Sequence, residues 1–271
     1  MQVKEFNYKG HKLSYQTKGN GPLVVLLHGF GEDGTVWKNQ YDIFPGYQLI
    51  IPDLPGSGNS DMIDDMSMEG MADALKELAG SLLRKSQRLT LIGHSMGGYI
   101  ALAFAEKYPT LLNAFGLFHS TAFADSEEKK STRQRGIQFM QEHGAYEFLK
   151  TAIPNLYGPE TKQAKQQLIE EHLATVRNSK AESLVNYYES MMHRPDRTEV
   201  LKNSQVPVLF VFGKYDTAVP LEDGLKLCNL PQLSYIHVLE KSGHMGMIEE
   251  DMESNKILSQ FVTSIETIAY T

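Results

Sequence analysis

The stretch Gly93-His94-Ser95-Met96-Gly97 decides the fold. It has the pattern G-x-S-x-G, and the residues around it predict a buried strand over 88–92 and a helix over 98–107. A serine on a tight strand-to-helix turn is held in a strained backbone conformation that exposes its hydroxyl group. Glycines on both sides leave room for the neighbouring strand and helix. This context predicts a nucleophilic serine at position 95.

Charge and cysteine content exclude several classes of protein. The net charge of −7 and the lack of a long basic run argue against a nucleic-acid partner. The single cysteine, Cys228, rules out an intramolecular disulfide framework. Residues 1–6 lack the apolar core of a signal peptide. No apolar run reaches the ~18 residues of a membrane span. We therefore expect a soluble, cytoplasmic protein without a membrane span, as a monomer or small homo-oligomer.

Short buried strands alternate with helices in the first and last parts of the chain. Helices are predicted over 67–83, 98–107 and 254–268. The predicted strands are 3–8, 12–17, 23–27, 47–51, 88–92, 111–118, 206–212 and 234–239. This alternation predicts an α/β fold with a doubly wound, mostly parallel sheet. In such sheets the ligand site lies at the carboxyl ends of the strands.

Residues 121–199 interrupt the alternation. No buried strand is predicted from 125 to 198, and the segment is rich in Gln, Glu, Lys, Arg and Tyr. Its helical segments are predicted at 127–142, 145–152, 160–177 and 180–192. We therefore expect residues 121–199 to form an all-helical insertion, called the helical insertion below. The core then consists of residues 1–120 and 200–271.

Two loops beyond the helical insertion supply partners for Ser95. A serine hydroxyl group needs a base to take its proton, and that base needs an acid to orient it. Asp216 follows the predicted strand 206–212, and His244 follows the strand 234–239 in a glycine-flanked loop. The chain order Ser, Asp, His is the one expected on this kind of sheet. We predict that Ser95, Asp216 and His244 form a catalytic triad.

A tetrahedral intermediate also needs two hydrogen-bond donors for its oxyanion. The backbone N–H of Met96, directly after the nucleophile, is one predicted donor. The second is the N–H of Phe30 in the glycine-rich loop His28-Gly29-Phe30-Gly31. This chemistry needs no metal or other cofactor, and the histidines and acids are not at metal-ligand spacing.

These motifs together resemble the α/β-hydrolase superfamily, in its serine-nucleophile, esterase-like branch. The segments that carry the resemblance are His28-Gly29-Phe30-Gly31, Asp53-Leu54-Pro55-Gly56-Ser57-Gly58-Asn59-Ser60, Gly93-His94-Ser95-Met96-Gly97-Gly98, Gly213-Lys214-Tyr215-Asp216 and Gly243-His244. The resemblance implies an eight-stranded, mainly parallel sheet with a helical cap, or lid, after the sixth strand. It also implies a small-molecule acyl substrate, for which Gly29, His119 and Met192 are the predicted contacts.

The leading hypothesis is cleavage of a small carboxylic ester or related acyl compound, and two alternatives stay open. One is a carbon–carbon bond hydrolase or lyase with the same triad, which usually needs a polar group in the pocket to hold a carboxylate. The candidate groups are Arg133, Arg135, Arg177 and Arg194. The other is a ligand receptor or signalling partner with weak catalysis, because residues 30–37 are similar to that branch too.

Overall fold

Eight strands pair in one sheet, in the order β1-β2-β4-β3-β5-β6-β7-β8. The computed structural model describes residues 1–84 and 87–269. The strands are β1 (Gln2–Tyr8), β2 (His11–Lys18), β3 (Leu23–Leu27), β4 (Gln48–Pro52), β5 (Leu89–His94), β6 (Leu112–Phe118), β7 (Val208–Gly213) and β8 (Ser234–Leu239). Strand β2 is antiparallel to both of its neighbours, whereas the other pairings are parallel. The predicted α/β class and mainly parallel sheet are therefore confirmed.

The centre of the sheet is buried on both faces. Every residue of β3, β5 and β7 is buried, which continuous apolar runs require when helices cover both sides of a sheet. The core helices are α1 (Met68–Leu82), α2 (Met96–Lys107), α9 (Leu221–Leu225), α10 (Gly246–Glu249) and α11 (Asp251–Ala269). Helix α2 packs against β5 and β6, and α11 packs against β8.

Between β6 and β7, the regular elements in the described part of the chain are all helical. They are α3 (Glu127–His143), α4 (Ala145–Ala152), α5 (Pro159–Ala164), α6 (Gln166–Thr175), α7 (Ala181–His193) and α8 (Thr198–Lys202), with a 3-10 turn at Ile153–Leu156. The helix predicted over 160–177 is divided, because Lys165 leaves helical geometry at φ −134° and ψ 40°. No proline or glycine marks this break in the sequence. Within residues 1–84 and 87–269, no helix is both long and apolar enough to cross a membrane.

Strand order places the candidate site at one edge of the sheet. Strands β3, β5, β6, β7 and β8 are successive parallel neighbours, so their carboxyl ends meet at one edge of the sheet. The loops that leave this edge carry the glycine-rich segment after β3, Ser95 after β5, Asp216 after β7 and His244 after β8. The topology therefore brings together residues up to 216 positions apart in the chain (28 to 244).

Candidate active site

Ser95 lies on the turn that joins β5 to α2, in a strained conformation with φ 51° and ψ −116°. A positive φ is rare for a residue with a side chain and is typical of the nucleophile turn of hydrolases. Neighbouring groups hold the turn: Ser95 N donates to Phe118 O (2.9 Å), and Ser120 Oγ donates to Ser95 O (2.7 Å). The strain is thus supported by the adjacent strand β6, and Ser95 remains partly exposed.

The glycines of the motif are needed for close packing. A Cβ atom on Gly93 would overlap the backbone of Gly97, and one on Gly97 would overlap the backbone of His28. Since both collisions are with backbone atoms, no side-chain rotation relieves them. The G-x-S-x-G pattern therefore follows from the distance between the turn, the helix and the loop after β3.

Asp216 and His244 form a buried hydrogen-bonded pair. His244 Nδ1 lies 2.7 Å from Asp216 Oδ2, and the two residues are 4% and 6% exposed. The other oxygen of Asp216 accepts from the backbone N–H groups of Ala218 and Val219, both at 2.9 Å. An ionised Asp216 accepts hydrogen bonds only, so His244 Nδ1 carries a proton. This leaves His244 Nε2 as the nitrogen available for proton transfer.

Electrostatics favour a charged Asp216 beside a basic His244. Burial alone would raise the pKa of Asp216, but the charge of His244 and the hydrogen bonds from His119 and His244 hold that pKa far below its usual range. Burial acts to lower the pKa of His244, and the opposing charge and hydrogen bond of Asp216 nevertheless raise it above its ordinary value. A carboxylate and a strengthened base are the states that a serine nucleophile requires.

His94 connects the serine turn to the loop of the base. Its Nε2 atom is 3.0 Å from the carbonyl oxygen of His244, and its Nδ1 atom is 3.0 Å from Glu32 Oε2. Burial favours the neutral acid, but the charge of His94 and the hydrogen bonds of His94 and Gly29 lower the pKa of Glu32 to about 2. Both nitrogens of His94 thus face acceptors. The ring therefore links the loop of Glu32 to the backbone of His244.

The glycine-rich loop lies against the nucleophile. A Cβ atom on Gly29 would be 3.1 Å from Ser95 Cβ, so this loop passes directly beside the serine. The N–H of Gly29 donates to Glu32 at 2.6 Å. In the described part of the chain, the N–H groups of Phe30 and Met96 have no acceptor. They are therefore available donors beside Ser95, as the predicted oxyanion site requires.

The predicted substrate contact of His119 differs from the arrangement in the structure. His119 is fully buried, and its Nδ1 atom lies 3.1 Å from Asp216 Oδ2 rather than in a cleft. His119 follows β6 at the predicted sheet edge, with a φ of 49°, and its ring contacts the carboxylate of Asp216. Met192 is half-buried near the end of α7, where it packs against the apolar core. Its contact with substrate stays a prediction.

Three residues of the site lie close enough together to hold a metal ion. His119, Asp216 and His244 each offer a ligand atom, and these atoms lie within 4.8 Å of one another. Hydrogen bonds already explain the arrangement, because both imidazoles point Nδ1 at the same carboxylate oxygen. Burial lowers the pKa of His119 to about 4, so that ring is neutral and donates its Nδ1 proton. We interpret the cluster as a proton-transfer group.

The helical insertion covers this edge of the sheet. The ring of Phe30 stacks on that of Tyr188 with 4.3 Å between centroids, and Phe148 meets it edge-on at 6.2 Å. At the loop that carries the predicted base, His244 N donates to the carbonyl oxygen of Leu156 in the insertion (2.6 Å). The insertion therefore touches the loop of the predicted oxyanion donor and the loop of the base.

Three acidic residues at the site were not predicted from the sequence. Glu32 holds Gly29 and His94, whereas Glu249 and Glu250 hold backbone N–H groups around His244. Each lies in or beside a polar loop, where an acidic residue is usually solvated. The sequence offered one signal of their role, which is their distance from a motif. Glu32 lies three residues after Gly29, and Glu249 and Glu250 lie five and six residues after His244.

Comparisons with known proteins agree with this architecture. Residues 24–254 match the sequence profile of the alpha/beta hydrolase family, and the chain belongs to that family. A 2-hydroxy-6-oxo-6-phenylhexa-2,4-dienoate hydrolase of Comamonas testosteroni is 29% identical over 96% of this chain and 94% of its own length. The monoacylglycerol lipase abhd6-B of Xenopus laevis is 24% identical over 98% of this chain and 84% of its own.

A solved structure gives a close match over nearly the whole chain. A thermophilic esterase from Thermogutta terrifontis superposes with a TM-score of 0.90 and 29% sequence identity, covering 98% of this chain and 99% of that one. These relatives share hydrolysis as a reaction type and differ in the bond that is cleaved. Together with the fold, they support a hydrolase.

Proposed function

We propose that this protein is a serine hydrolase that cleaves a small carboxylic ester or related acyl compound through an acyl-enzyme. The observation that carries the proposal is the 2.7 Å hydrogen bond from His244 Nδ1 to buried Asp216, at the same sheet edge as the strained Ser95. It orients the imidazole and stabilises the cation that forms when the base takes a proton.

The proposed reaction has two halves. Ser95 Oγ attacks the carbonyl carbon and gives its proton to His244 Nε2, while the N–H groups of Phe30 and Met96 bind the oxyanion. The carbon–oxygen bond to the alcohol breaks, and the alcohol leaves with the proton from His244. Water then attacks the acyl-enzyme, gives a proton to His244, and releases the acid as that proton returns to Ser95. Loss of one oxyanion donor typically costs about 3–4 kcal/mol of transition-state stabilisation.

In this proposal, residues 121–199 act as a lid over a core formed by residues 1–120 and 200–271. Support comes from contacts on both sides of the site, through the Tyr188–Phe30 ring stack and the Leu156–His244 hydrogen bond. Leu149 also lies against Gly31, whose φ of 69° and lack of a side chain permit the close approach. The lid would set the size of the acyl group that reaches Ser95.

The second candidate is hydrolysis of a carbon–carbon bond, which the named activity of the Comamonas testosteroni relative favours. This activity usually needs a polar group that holds a substrate carboxylate, and the arginines of the helical insertion are the candidates. Arg194 is bound to Asp125 and to the carbonyl oxygens of Met191 and Phe123. Arg133 pairs with Asp125 at 2.6 Å, and its guanidinium group lies 5.0 Å from the Tyr188 ring that stacks on Phe30. Arg133 is thus the candidate to hold a substrate carboxylate.

Labelling with a fluorophosphonate tests the nucleophile before the substrate is known. Wild-type protein should be modified at Ser95, and Ser95→Ala should lose the label. The matched control is Ser204→Ala, because Ser204 precedes β7 and therefore lies at the opposite edge of the sheet. Labelling elsewhere, or undiminished labelling of Ser95→Ala, would refute the assignment.

Two substrates separate the candidate activities. Short-chain p-nitrophenyl esters report ester cleavage, and 2-hydroxy-6-oxo-6-phenylhexa-2,4-dienoate reports carbon–carbon cleavage. The first proposal expects turnover of the esters, with loss of at least about 10³-fold in Ser95→Ala. Turnover of the dienoate alone, sensitive to Arg133→Gln, would favour the second candidate.

A further inference from the structure

We propose that Glu249 is a positioning residue that makes the placement of His244 depend on the seating of the helical insertion. This inference rests on the proposed function of His244 as the base. It assigns a role to a buried acidic residue that the reaction itself does not use.

Glu249 spans the base loop, defined here as residues 243–245. Its Oε1 atom accepts from Gly243 N at 2.8 Å and from Met245 N at 3.3 Å. These are the two residues that flank His244 in the chain. One carboxylate oxygen therefore fixes the backbone on both sides of the base, and with it the direction of the imidazole.

The second oxygen of the same carboxylate reaches the helical insertion. Glu249 Oε2 accepts from Gly158 N at 2.7 Å, next to the start of α5. Two residues earlier, the carbonyl oxygen of Leu156 accepts from His244 N at 2.6 Å. The base loop and residues 156–158 are thus joined directly and again through Glu249. Withdrawal of residues 156–158 would remove a hydrogen bond of His244 itself and one of the carboxylate that holds its neighbours.

Three N–H donors require the carboxylate form of Glu249. The residue is 6% exposed, and burial raises its pKa in spite of the hydrogen bonds from Gly158, Thr161 and the base loop. A protonated or amide side chain would place a donor against these donors. The negative charge also acts on the base, because it is one of the charges that raise the pKa of His244.

Glu249 lines a cavity of about 540 Å³. The titratable and charged groups around it come from several neighbouring elements. Its charged and titratable lining residues are Glu32, Asp33, Lys38, Lys165, Glu171, His172, Glu249 and Asp251. His244 and Tyr157 also interact electrostatically with Glu249. A substitution of Glu249 must therefore be compared with that of another acid beside the same loop.

Glu250 is the matched control. Its Oε2 atom accepts from Lys241 N at 2.9 Å and from Ser242 Oγ at 2.6 Å, which precede the base loop. In the described part of the chain, Glu250 makes no hydrogen bond to the helical insertion. Of these two adjacent acids, Glu249 bridges the insertion and the base loop, whereas Glu250 holds only the residues before that loop.

The test compares Glu249→Gln with Glu250→Gln by two readouts. The first is the pH dependence of the rate of Ser95 labelling by a fluorophosphonate. Glu249→Gln should lower that rate at least about tenfold. It should also shift the acid midpoint to lower pH, because a negative charge beside His244 is lost. Glu250→Gln should change the rate less than about threefold and leave the midpoint in place.

The second readout is backbone amide hydrogen exchange, which needs no catalysis. Glu249→Gln should accelerate exchange in both residues 156–162 and residues 243–246, whereas Glu250→Gln should affect only 241–246. Faster exchange in one of the two segments alone, or equal behaviour of the two variants, overturns the coupling. If Glu249→Gln fails to fold, Glu249→Asp retains the charge, and its shorter side chain should separate 156–162 from the base loop without shifting the midpoint. Failure of wild-type protein to label at Ser95 would reject the proposed function instead, and exchange would still decide the coupling.

Discussion

His119 Nδ1 lies 3.1 Å from Asp216 Oδ2, and both side chains are fully buried. The same oxygen accepts from His244 Nδ1 at 2.7 Å, so two imidazoles share one carboxylate oxygen. Within residues 1–84 and 87–269, the second nitrogen of His119 is buried without a hydrogen-bond partner, and it lies against Gly246. His119 is thus held neutral, as a fixed donor to the acid of the candidate triad.

We expect His119 to make the protein less stable in mild acid. Burial lowers its pKa to about 4 in the folded chain, against 6.5 for an ordinary histidine. As the pH falls from 6.5 to 4, the unfolded chain binds a proton here that the folded chain does not, so stability is lost over this window. Between pH 7 and pH 5 this loss amounts to about 2 kcal/mol. In His119→Asn, the amide can replace the Nδ1 donor but does not bind this proton. Urea unfolding of the variant should therefore lack this loss of stability between pH 7 and pH 5.

His119→Leu separates the titration from the hydrogen bond. It also removes the ionisable ring, but it leaves Asp216 without one donor. We expect it to match His119→Asn in the pH dependence of unfolding and to label at Ser95 about tenfold more slowly, since a hydrogen bond to a charged group is lost. If both variants keep the wild-type difference in unfolding free energy between pH 7 and pH 5, His119 is not the group that causes it.

Asp216→Asn should abolish most of the activity with little change in fold. An amide at this position can donate to His244 Nδ1, which favours the tautomer with its proton on Nε2 and removes the base. The comparable change in serine proteases lowers kcat by about 10⁴-fold. Ester hydrolysis under single-turnover conditions, with circular dichroism for the fold, measures both effects. Asp223→Asn, a change at a partly exposed helix position, is the control. An Asp216→Asn variant with a tenth of normal activity would contradict the triad.

The sequence allowed the sheet to be predicted and the residues of the candidate triad to be proposed, because their signals are local. Continuous apolar runs identify β3, β5 and β7, and the strained turn at Ser95 needs glycines that stand next to it in the chain. Parallel pairing then brings the strand ends together. The position of His119 was harder to predict, since its partner Asp216 is 97 positions away in the chain.

The role of Glu32 could not be predicted for a different reason. Its partner His94 is 62 positions away, and the pair forms only when two loops close on each other. The break of the insertion helix at Lys165 is similar, because neither proline nor glycine is present there. Such features depend on tertiary packing, which overrides local propensity.

Glu32→Gln should destabilise the protein and slow labelling of Ser95. The substitution removes the charged oxygen that lies 3.0 Å from the Nδ1 atom of buried His94, and loss of a hydrogen bond to a charged group costs about 1.5–3 kcal/mol. The N–H of Gly29 also loses a charged acceptor beside the predicted oxyanion loop. Urea unfolding at pH 7 measures the first effect, and the rate of fluorophosphonate labelling measures the second.

The neighbouring Asp33 provides the control for Glu32. Asp33 caps the 3-10 turn Gly34–Gln40 through the N–H of Thr35 and is more exposed than Glu32. Asp33→Asn should cost about 1 kcal/mol or less and leave the labelling rate near its normal value. If Glu32→Gln and Asp33→Asn lose equal amounts of unfolding free energy and labelling rate, the contact between Glu32 and His94 contributes no more than the cap at Asp33.

The contact of Phe30 with the helical insertion provides the last prediction. Phe30→Ala retains the backbone N–H but removes the ring that stacks on Tyr188 and meets Phe148. Because the ring is half-buried, we expect a loss of about 2–3 kcal/mol in the free energy of unfolding. Labelling of Ser95 should also slow, since the loop that carries the N–H loses its support from the insertion. Phe139→Ala, at a more exposed ring that also contacts Phe148, should cost less than about 1 kcal/mol and leave labelling unchanged. If the two variants label at the same rate, the insertion does not hold the loop of Phe30 in place.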